Sequence, residues 1–203
     1  MSQRFSETVV AQALISLSAQ QQLAFALSCS ERLYPNYLAF KRETGWGNPS
    51  ALRKALDIAW ASLDRAAPSA TTIAIAREQV LAAEPETEDF DTVLVSAALD
   101  AAVSADLILR FLEEGKPERV VEIASLCRDT VDMFVQDYEC LAPTDPNLED
   151  RILYHRLMQA ELQRQHDDLL ELRCFSGASP ELDQLRAKWR YVEMSNIEKS
   201  LIG

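Results

Sequence analysis

The sequence predicts an all-α fold: a compact multi-helix bundle in which residues 1 to 203 form a single domain. The apolar residues of almost every segment recur with a period near 3.6, and no segment alternates apolar and polar residues over the length of a strand. Hydrophobic residues make up 48% of the chain and only five residues are glycine, which suits a packed helical core. A chain of this length is commonly one domain.

Capping residues and prolines mark where the predicted helices begin. Ser18 stands three residues before Gln21, which is the spacing of a capping box. Asn48, Asp145 and Ser179 each precede a proline, and proline is favoured at the first position of a helix. The predicted helices run near residues 6 to 17, 19 to 33, 35 to 44, 49 to 65, 71 to 83, 89 to 114, 117 to 138, 147 to 175 and 180 to 199.

Glycines mark where two of these helices end. Gly115 is placed as a helix stop, with Pro117 opening the next helix. Gly45 and Gly47 lack both the Gly-Lys-Ser/Thr ending of a phosphate-binding loop and the spacing of a dinucleotide fingerprint. We therefore expect these two glycines to adopt positive φ in a C-cap and turn between helices.

Two predicted helices, 89 to 114 and 117 to 138, are expected to form a buried central antiparallel hairpin. The first is apolar around nearly its whole circumference, and such a helix is buried on most sides. It also carries Asp100, whose charge would need a partner in that setting. We expect an arginine such as Arg32 or Arg53 to supply it.

The charge of the chain, −12 from 32 acidic and 20 basic residues, limits its partners. Such a charge repels phosphate backbones and anionic membrane surfaces, so neither nucleic acid nor membrane is expected as a partner. An acidic surface could instead engage basic protein partners. The N-terminus resembles neither a signal peptide nor a transit peptide, and no apolar run reaches membrane-spanning length, so a cytoplasmic location is expected.

Neither metal nor cofactor is expected from the cysteines and histidines. Each cysteine is expected to pack as a small apolar residue, because no CxxC pair occurs. His155 and His166 lie eleven positions apart, roughly 16 Å along one helix, and neither belongs to a Glu-x-x-His motif. Both are predicted to be hydrogen-bonded residues at the edge of the core. The four cysteines are Cys29, Cys127, Cys140 and Cys174.

Aromatic, glycine and charged residues are densest between residues 31 and 60, and these residues resemble a known family. The pattern is similar to that of the YjaG-like family of uncharacterised bacterial proteins, and it extends to a short motif at residues 195 to 197. The resemblance implies an all-α fold and a bacterial cytoplasmic origin, and it implies no reaction. The residues that carry it are Glu31, Arg32, Tyr34, Pro35, Asn36, Tyr37, Phe40, Thr44, Gly45, Gly47, Arg53, Leu56, Asp57, Trp60, Asp89, Phe90, Asp91, Ala98, Leu99, Asp100 and Ala101.

Most of the candidate site comes from these residues, and Trp46 is added to them. We expect those near the glycine turn to converge there, either as a secondary core or as the lining of a pocket. Aromatic residues at helical spacing usually serve the core, which favours packing. Catalytic residues are not assigned. The candidate residues are Tyr34, Asn36, Tyr37, Trp46, Arg53, Asp57, Trp60 and Asp100.

The function predicted first is a non-enzymatic cytoplasmic interaction or regulatory module, because no catalytic signature is found. The alternative is a small-molecule-binding protein or a hydrolytic enzyme that uses an Asp/Arg/aromatic pocket. Its carboxylates would come from Asp57, Asp89, Asp91 or Asp100. Whether the chain forms a homo-oligomer is left open.

Overall fold

The structure is a computed structural model that describes residues 7–64, 67–190 and 195–197. Within these ranges the chain forms helices and turns without a β-strand, so the predicted all-α fold is confirmed. A single 3-10 turn occupies Thr87–Asp89. The helices are α1 Glu7–Ile15, α2 Ala19–Thr44, α3 Pro49–Asp64, α4 Ala70–Leu81, α5 Val95–Glu114, α6 Pro117–Tyr138, α7 Leu148–Tyr154, α8 Arg156–Leu172 and α9 Ser179–Trp189.

Helix α2 is continuous through Pro35, so the predicted break into helices 19 to 33 and 35 to 44 is wrong. A proline inside a helix removes one backbone hydrogen bond and costs about 3 kcal/mol. Packing outweighs this cost, because Leu27, Leu33, Tyr37 and Phe40 are all fully buried on either side of the proline. Capping residues and prolines in the sequence do not indicate burial of this kind.

The ends of α2 follow the sequence signals. The Ser18 hydroxyl accepts from the Gln21 backbone and the Gln21 side chain accepts from the Ser18 backbone, which completes the predicted capping box. Gly45 ends the helix at φ +74, and Gly47 follows at φ +100. The predicted glycine turn is therefore confirmed.

The predicted central hairpin is present, and α2 joins it at the centre. Gly115, at φ +66, and Lys116 connect α5 to α6, which pack against each other. Helix α2 packs on α3, α5, α6, α8 and α9, and most of its residues are buried. The sequence pattern predicts only α5 and α6 at the centre, because buried polar residues interrupt the apolar stripe of α2.

Helix α5 begins at Val95, six residues later than the predicted start at 89. The segment before it leaves the helical path, and Phe90 adopts an extended conformation. Its ring then packs edge to face on Phe40 with centroids 4.9 Å apart. The aromatic contact therefore takes the place of an extra turn of helix.

The predicted helix 147 to 175 is divided at His155. The ψ of His155 is 142°, and its Nδ1 accepts a hydrogen bond from the Leu157 N–H, which caps α8. His155 is half-buried as predicted, whereas His166 is exposed. The helix also begins at Leu148 rather than at the proline after Asp145.

The predicted helix 180 to 199 is shorter in the structure. Helix α9 ends at Trp189, and residues 195–197 form a turn. The rest of the predicted range from 191 lies outside the described residues.

Two apolar clusters make up the described core. The larger one is built mainly from α2, α3, α5 and the first half of α6. The smaller one lies where the second half of α6 meets α7 and α8, and Ile197 is buried in it. None of the described helices has the length and apolar character needed to cross a membrane.

Candidate functional site

The predicted site residues separate into four groups of contacts. Three of them, Tyr34, Asn36 and Tyr37, lie on α2, where successive residues are rotated by about 100°. Their side chains therefore point to different neighbours. A functional role for the whole set stays a prediction.

Tyr37 belongs to the glycine turn. Its hydroxyl donates to the Ala83 carbonyl at 2.6 Å and accepts from the Asn48 N–H at 3.1 Å. The ring is fully buried, and burial raises the pKa of the phenol. A Cβ on Gly47 would lie 2.6 Å from the Tyr37 hydroxyl, so both the positive φ and the close approach require glycine.

Trp46 packs beside this turn in an aromatic cluster. Its ring centroid lies 6.1 Å from that of Phe40 and 5.4 Å from that of Phe90. Trp46 remains 37% exposed. Of the candidate residues, Tyr37 and Trp46 therefore pack at this turn, with one indole open to solvent.

Trp60 and Arg53 both bind the buried carboxylate of Glu31, which is not among the candidate residues. Glu31 is 3% exposed and accepts both NH groups of Arg53, at 2.8 and 2.7 Å. Trp60 Nε1 donates to the same carboxylate at 2.7 Å. Burial disfavours the Arg53 cation, but the hydrogen bonds and charge of Glu31 raise the pKa of the guanidinium overall. This arrangement ties α2 to α3.

On the surface side, Arg53 and Asp57 form an i,i+4 ion pair at 2.9 Å. Arg190 adds a second contact to Asp57 at 2.8 Å, and the Tyr34 ring lies 5.2 Å from the Arg53 guanidinium. An open groove of about 460 Å³ lies over them. Its lining residues are Tyr34, Pro49, Ser50, Arg53, Lys54, Asp57, Ile58 and Ala61.

Asn36 forms hydrogen bonds with the turn at residues 195–197. Its Nδ2 donates to Asn196 Oδ1 at 3.1 Å, and its Oδ1 accepts from the Ser195 hydroxyl. Asn196 in turn donates to the Cys127 carbonyl at 2.9 Å. This site residue therefore links α2, α6 and the turn at 195–197.

Asp100 is the fourth group, and its predicted pairing with Arg32 or Arg53 is wrong. Its carboxylate accepts from the Thr130 hydroxyl at 2.6 Å. Burial raises its pKa to about 6; the Thr130 hydrogen bond opposes this shift and the charge of Asp129 adds to it. The two arginines are occupied by other carboxylates.

Arg32 anchors a second buried charge network that the sequence analysis did not find. Its Nε donates to Glu161 at 3.2 Å and another NH donates to Asp168 at 2.8 Å. Glu161 is fully buried. These partners lie more than 120 positions away, so sequence spacing gives no signal for them.

The cysteines fall into two classes. Cys29 and Cys127 are buried as predicted, and the Cys127 thiol donates to the Cys29 carbonyl at 3.5 Å. Cys140 and Cys174 are exposed, so the prediction that every cysteine packs in the core is wrong for these two. Both follow helix ends, where the chain turns at the surface. Among the described residues no cluster of His, Cys, Asp and Glu could hold a metal ion.

A second groove, of about 550 Å³, runs between α4, α5 and α6, and we call it the α5 groove. Its walls are mainly apolar, and Leu81 is 49% exposed there. No sequence pattern predicts this groove, because its lining comes from three helices and the loop after α4. The lining residues are Leu81, Glu84, Val103, Asp106, Leu107, Arg110, Val121, Glu122, Ser125 and Leu126.

The carboxylates of the α5 groove differ in their partners. Asp106 is 6% exposed and binds Arg77 at 2.7 Å and Arg110 at 2.9 Å. Glu122 is held by Arg119 at 2.9 Å. The Glu84 side chain is half-buried, and its carboxylate forms no hydrogen bond or ion pair with any part of the chain that the structure describes. Burial, followed by the charge of Asp106, raises the pKa of Glu84, and the charge of Arg110 opposes this shift.

Comparison with known proteins gives relatives without an assigned activity. Residues 9–198 match the model of a family described as "Protein of unknown function (DUF416)". The uncharacterized protein YjaG of Escherichia coli K12 is 31% identical over 118 residues, which cover 58% of this chain and 60% of that protein. YjaG of Salmonella typhimurium is 27% identical over 134 residues, which cover 66% of this chain and 68% of that protein. The chain thus matches about 60% of the length of the E. coli relative.

A solved structure is similar over most of the chain. It is the crystal structure of a DUF416 family protein from Shewanella baltica, which is 26% identical. The similarity covers 92% of this chain and 96% of that one, with a TM-score of 0.82. The arrangement of helices is therefore shared between the two proteins.

Proposed function

Because the chain belongs to the DUF416 family, which has no assigned function, we propose its function from its surface: a non-enzymatic interaction module that binds a basic, apolar segment of a partner protein. The binding face is the α5 groove. Membership of the family confirms the resemblance predicted from the sequence, and neither the family nor its relatives indicate a specific activity.

One observation carries the proposal: the α5 groove joins an apolar lining, exposed at Leu81, to a carboxylate, Glu84, that forms no ion pair or hydrogen bond within the part of the chain that the structure describes. Leu81 is 49% exposed, and full burial of a leucine contributes roughly 1.5–3 kcal/mol, so covering the remaining half contributes about 1 kcal/mol. Val103, Val121 and Leu126 are partly buried and would add to this. Glu84 supplies a negative charge at the same place.

Charge favours a basic partner over other macromolecules. Three carboxylates and one arginine line the groove, and the whole chain carries −12. Phosphate backbones and anionic lipid surfaces are repelled by such a charge. A second copy of the chain would bring the same acidic lining against itself, because a two-fold interface pairs like surfaces.

The groove at Arg53 is less suited to a ligand. Glu31 and Asp57 already bind the Arg53 guanidinium, and Arg190 also holds Asp57. A ligand would have to replace these contacts rather than add to them. The arrangement serves as a structural tie, and we do not propose a small-molecule function there.

We place this activity in a bacterial cytoplasm. The relatives are bacterial. The cysteines are free thiols, and exposed thiols such as Cys140 and Cys174 persist in reducing compartments. Fractionation of cells that express the tagged full chain tests this placement.

The test of the binding face uses two matched positions on α4. Leu81 and Ile75 are 49% and 48% exposed, and of these two only Leu81 lines the α5 groove. A photo-crosslinking phenylalanine derivative replaces each in turn, and crosslinked segments are identified in cells by mass spectrometry.

We expect position 81 to crosslink reproducibly to one segment that is apolar and net basic, at several times the yield of position 75. Equal yields at the two positions would contradict the proposal. Capture of acidic segments or nucleic acid at position 81 would also contradict it.

A further inference from the structure

The α5 groove is long enough to bind a short helix. Four lining residues of α5, at positions 103, 106, 107 and 110, have i, i+3, i+4 and i+7 spacing and share one face. They extend over about 10.5 Å, which is two helical turns. The lining residues of α6 run alongside them from 121 to 126. A third helix can pack its ridge of side chains into a channel of this kind.

The backbone of the occupant has to satisfy its own hydrogen bonds. An extended peptide gains its affinity by pairing with a sheet edge, and the described part of this protein contains no strand. Against Leu81, Val103 and Val121 its N–H and C=O groups would be left without partners. A helix pairs those groups internally, so it can be buried against apolar walls without that loss.

Glu84 determines the charge that this helix has to carry. A purely apolar helix would cover a half-buried carboxylate that has the nearby charge of Arg110 but no direct ion pair, and this disfavours binding. The other two carboxylates, Asp106 and Glu122, already have arginine partners. Glu84 is therefore the position at which a cationic side chain adds the most.

We infer that the α5 groove binds an amphipathic α-helix whose apolar stripe lies on Leu81, Val103 and Val121 and whose lysine or arginine pairs with Glu84. This inference rests on the proposed function and specifies the chemistry of its partner. The helix carries apolar residues with i, i+3, i+4 and i+7 spacing. Its cation lies at the boundary between the apolar and polar faces.

Three synthetic peptides test this inference on the full chain. The first is a helix with a leucine stripe and lysines at all other positions, the second replaces the lysines by glutamates, and the third is the lysine peptide with a central proline that breaks the helix. Binding is measured by fluorescence anisotropy at physiological salt, because weak surface attractions are screened there. Light scattering without peptide measures the oligomeric state.

Two pairs of variants accompany the peptides. Glu84→Gln removes the proposed ion pair, and Glu88→Gln removes an equal charge from an exposed position outside the groove. Leu81→Ala removes an apolar wall, and Ile75→Ala truncates an equally exposed residue elsewhere on α4.

We expect the lysine helix to bind and the other two peptides to bind at least about 10-fold more weakly. Glu84→Gln should weaken the lysine helix about 10-fold and Glu88→Gln less than 2-fold. Equal binding of the glutamate or the proline peptide, or equal effects of the two Gln variants, overturns the inference. A dependence on Leu81 in that case would leave the proposed function standing.

Two other results would overturn the proposed function as well as the inference. Equal effects of Leu81→Ala and Ile75→Ala overturn the proposed function together with the inference. Self-association of the chain through Leu81 makes the occupant a second copy, which also overturns both.

Discussion

The side-chain amide of Asn36 on α2 donates a hydrogen bond to Asn196 Oδ1 at 3.1 Å, although the two residues lie 160 positions apart. Both side chains are 1% exposed. Asn196 continues the contact to the Cys127 carbonyl on α6 at 2.9 Å. Two widely separated parts of the pattern that carried the family resemblance are thus joined by one buried amide pair.

Asn196→Ala is expected to destabilise the fold by about 2–4 kcal/mol. The change leaves the Asn36 amide and the Cys127 carbonyl buried without their partner, and each unsatisfied group costs about 1–3 kcal/mol. Urea denaturation measures the free energy of unfolding. Asn147→Ala is the control, because this side chain is exposed, and it should change stability by less than about 0.5 kcal/mol. Equal stability of the two variants would show that the amide pair has no structural role.

Arg53→Met is expected to cost about 3–5 kcal/mol of stability, the range for leaving one member of a buried ion pair alone. Glu31 would keep the Trp60 contact but lose both hydrogen bonds from the guanidinium. The neighbouring Lys54→Met removes an exposed cation and should change stability by less than about 0.5 kcal/mol. Urea unfolding of both variants gives the comparison. A cost below about 1 kcal/mol for Arg53→Met would contradict the reading of this contact as a structural tie.

The sequence predicted local features of the fold more reliably than those that depend on distant contacts. The capping box at Ser18 and the glycine turn at Gly45 and Gly47 each depend on residues close together in the chain, and both are confirmed. The break expected at Pro35 was wrong, because burial along the rest of α2 outweighs the lost hydrogen bond.

The candidate site shows the same limit. Arg53 and Trp60 are candidate residues from the sequence, but Glu31, the carboxylate that joins them, is not, since it lies 22 and 29 positions away on another helix, beyond the reach of any local pattern. Glu84 is likewise not among the candidate residues. Its place in a groove follows from how α4, α5 and α6 pack, which no local pattern records.

Two of the four thiols are expected to react rapidly with Ellman's reagent in the folded protein. Cys140 and Cys174 are exposed, whereas Cys29 and Cys127 are buried. Burial also raises the pKa of the Cys127 thiol, which lowers the population of the reactive thiolate. Titration should give two equivalents in buffer and four in denaturant.

The control for this assignment is the double variant Cys140→Ser with Cys174→Ser. It should show no fast thiol while folded and two after unfolding. Rapid reaction of four thiols in the folded wild-type protein would mean that α2 and α6 separate readily.

The contribution of Asp100 to the stability of the protein is expected to fall as the pH rises from about 4 to 6. Burial raises the pKa of this carboxyl from its ordinary 3.8 to about 6, so between these values the folded chain binds a proton that the unfolded chain does not. The proton-linked stability is present below pH 4 and is lost by pH 6 to 7. A shift of this size corresponds to about 3 kcal/mol.

Asp100→Asn removes the titration while keeping an oxygen that can accept the Thr130 hydrogen bond. We therefore expect this variant to be more stable than the wild type at pH 7, by about 1–3 kcal/mol, and the difference to vanish near pH 4. Urea unfolding at pH 4, 5, 6 and 7 measures both chains. Asp183→Asn, at an exposed carboxylate, is the control and should leave the slope between pH 4 and 6 unchanged. A wild-type slope that persists in Asp100→Asn would assign the pH dependence to another group.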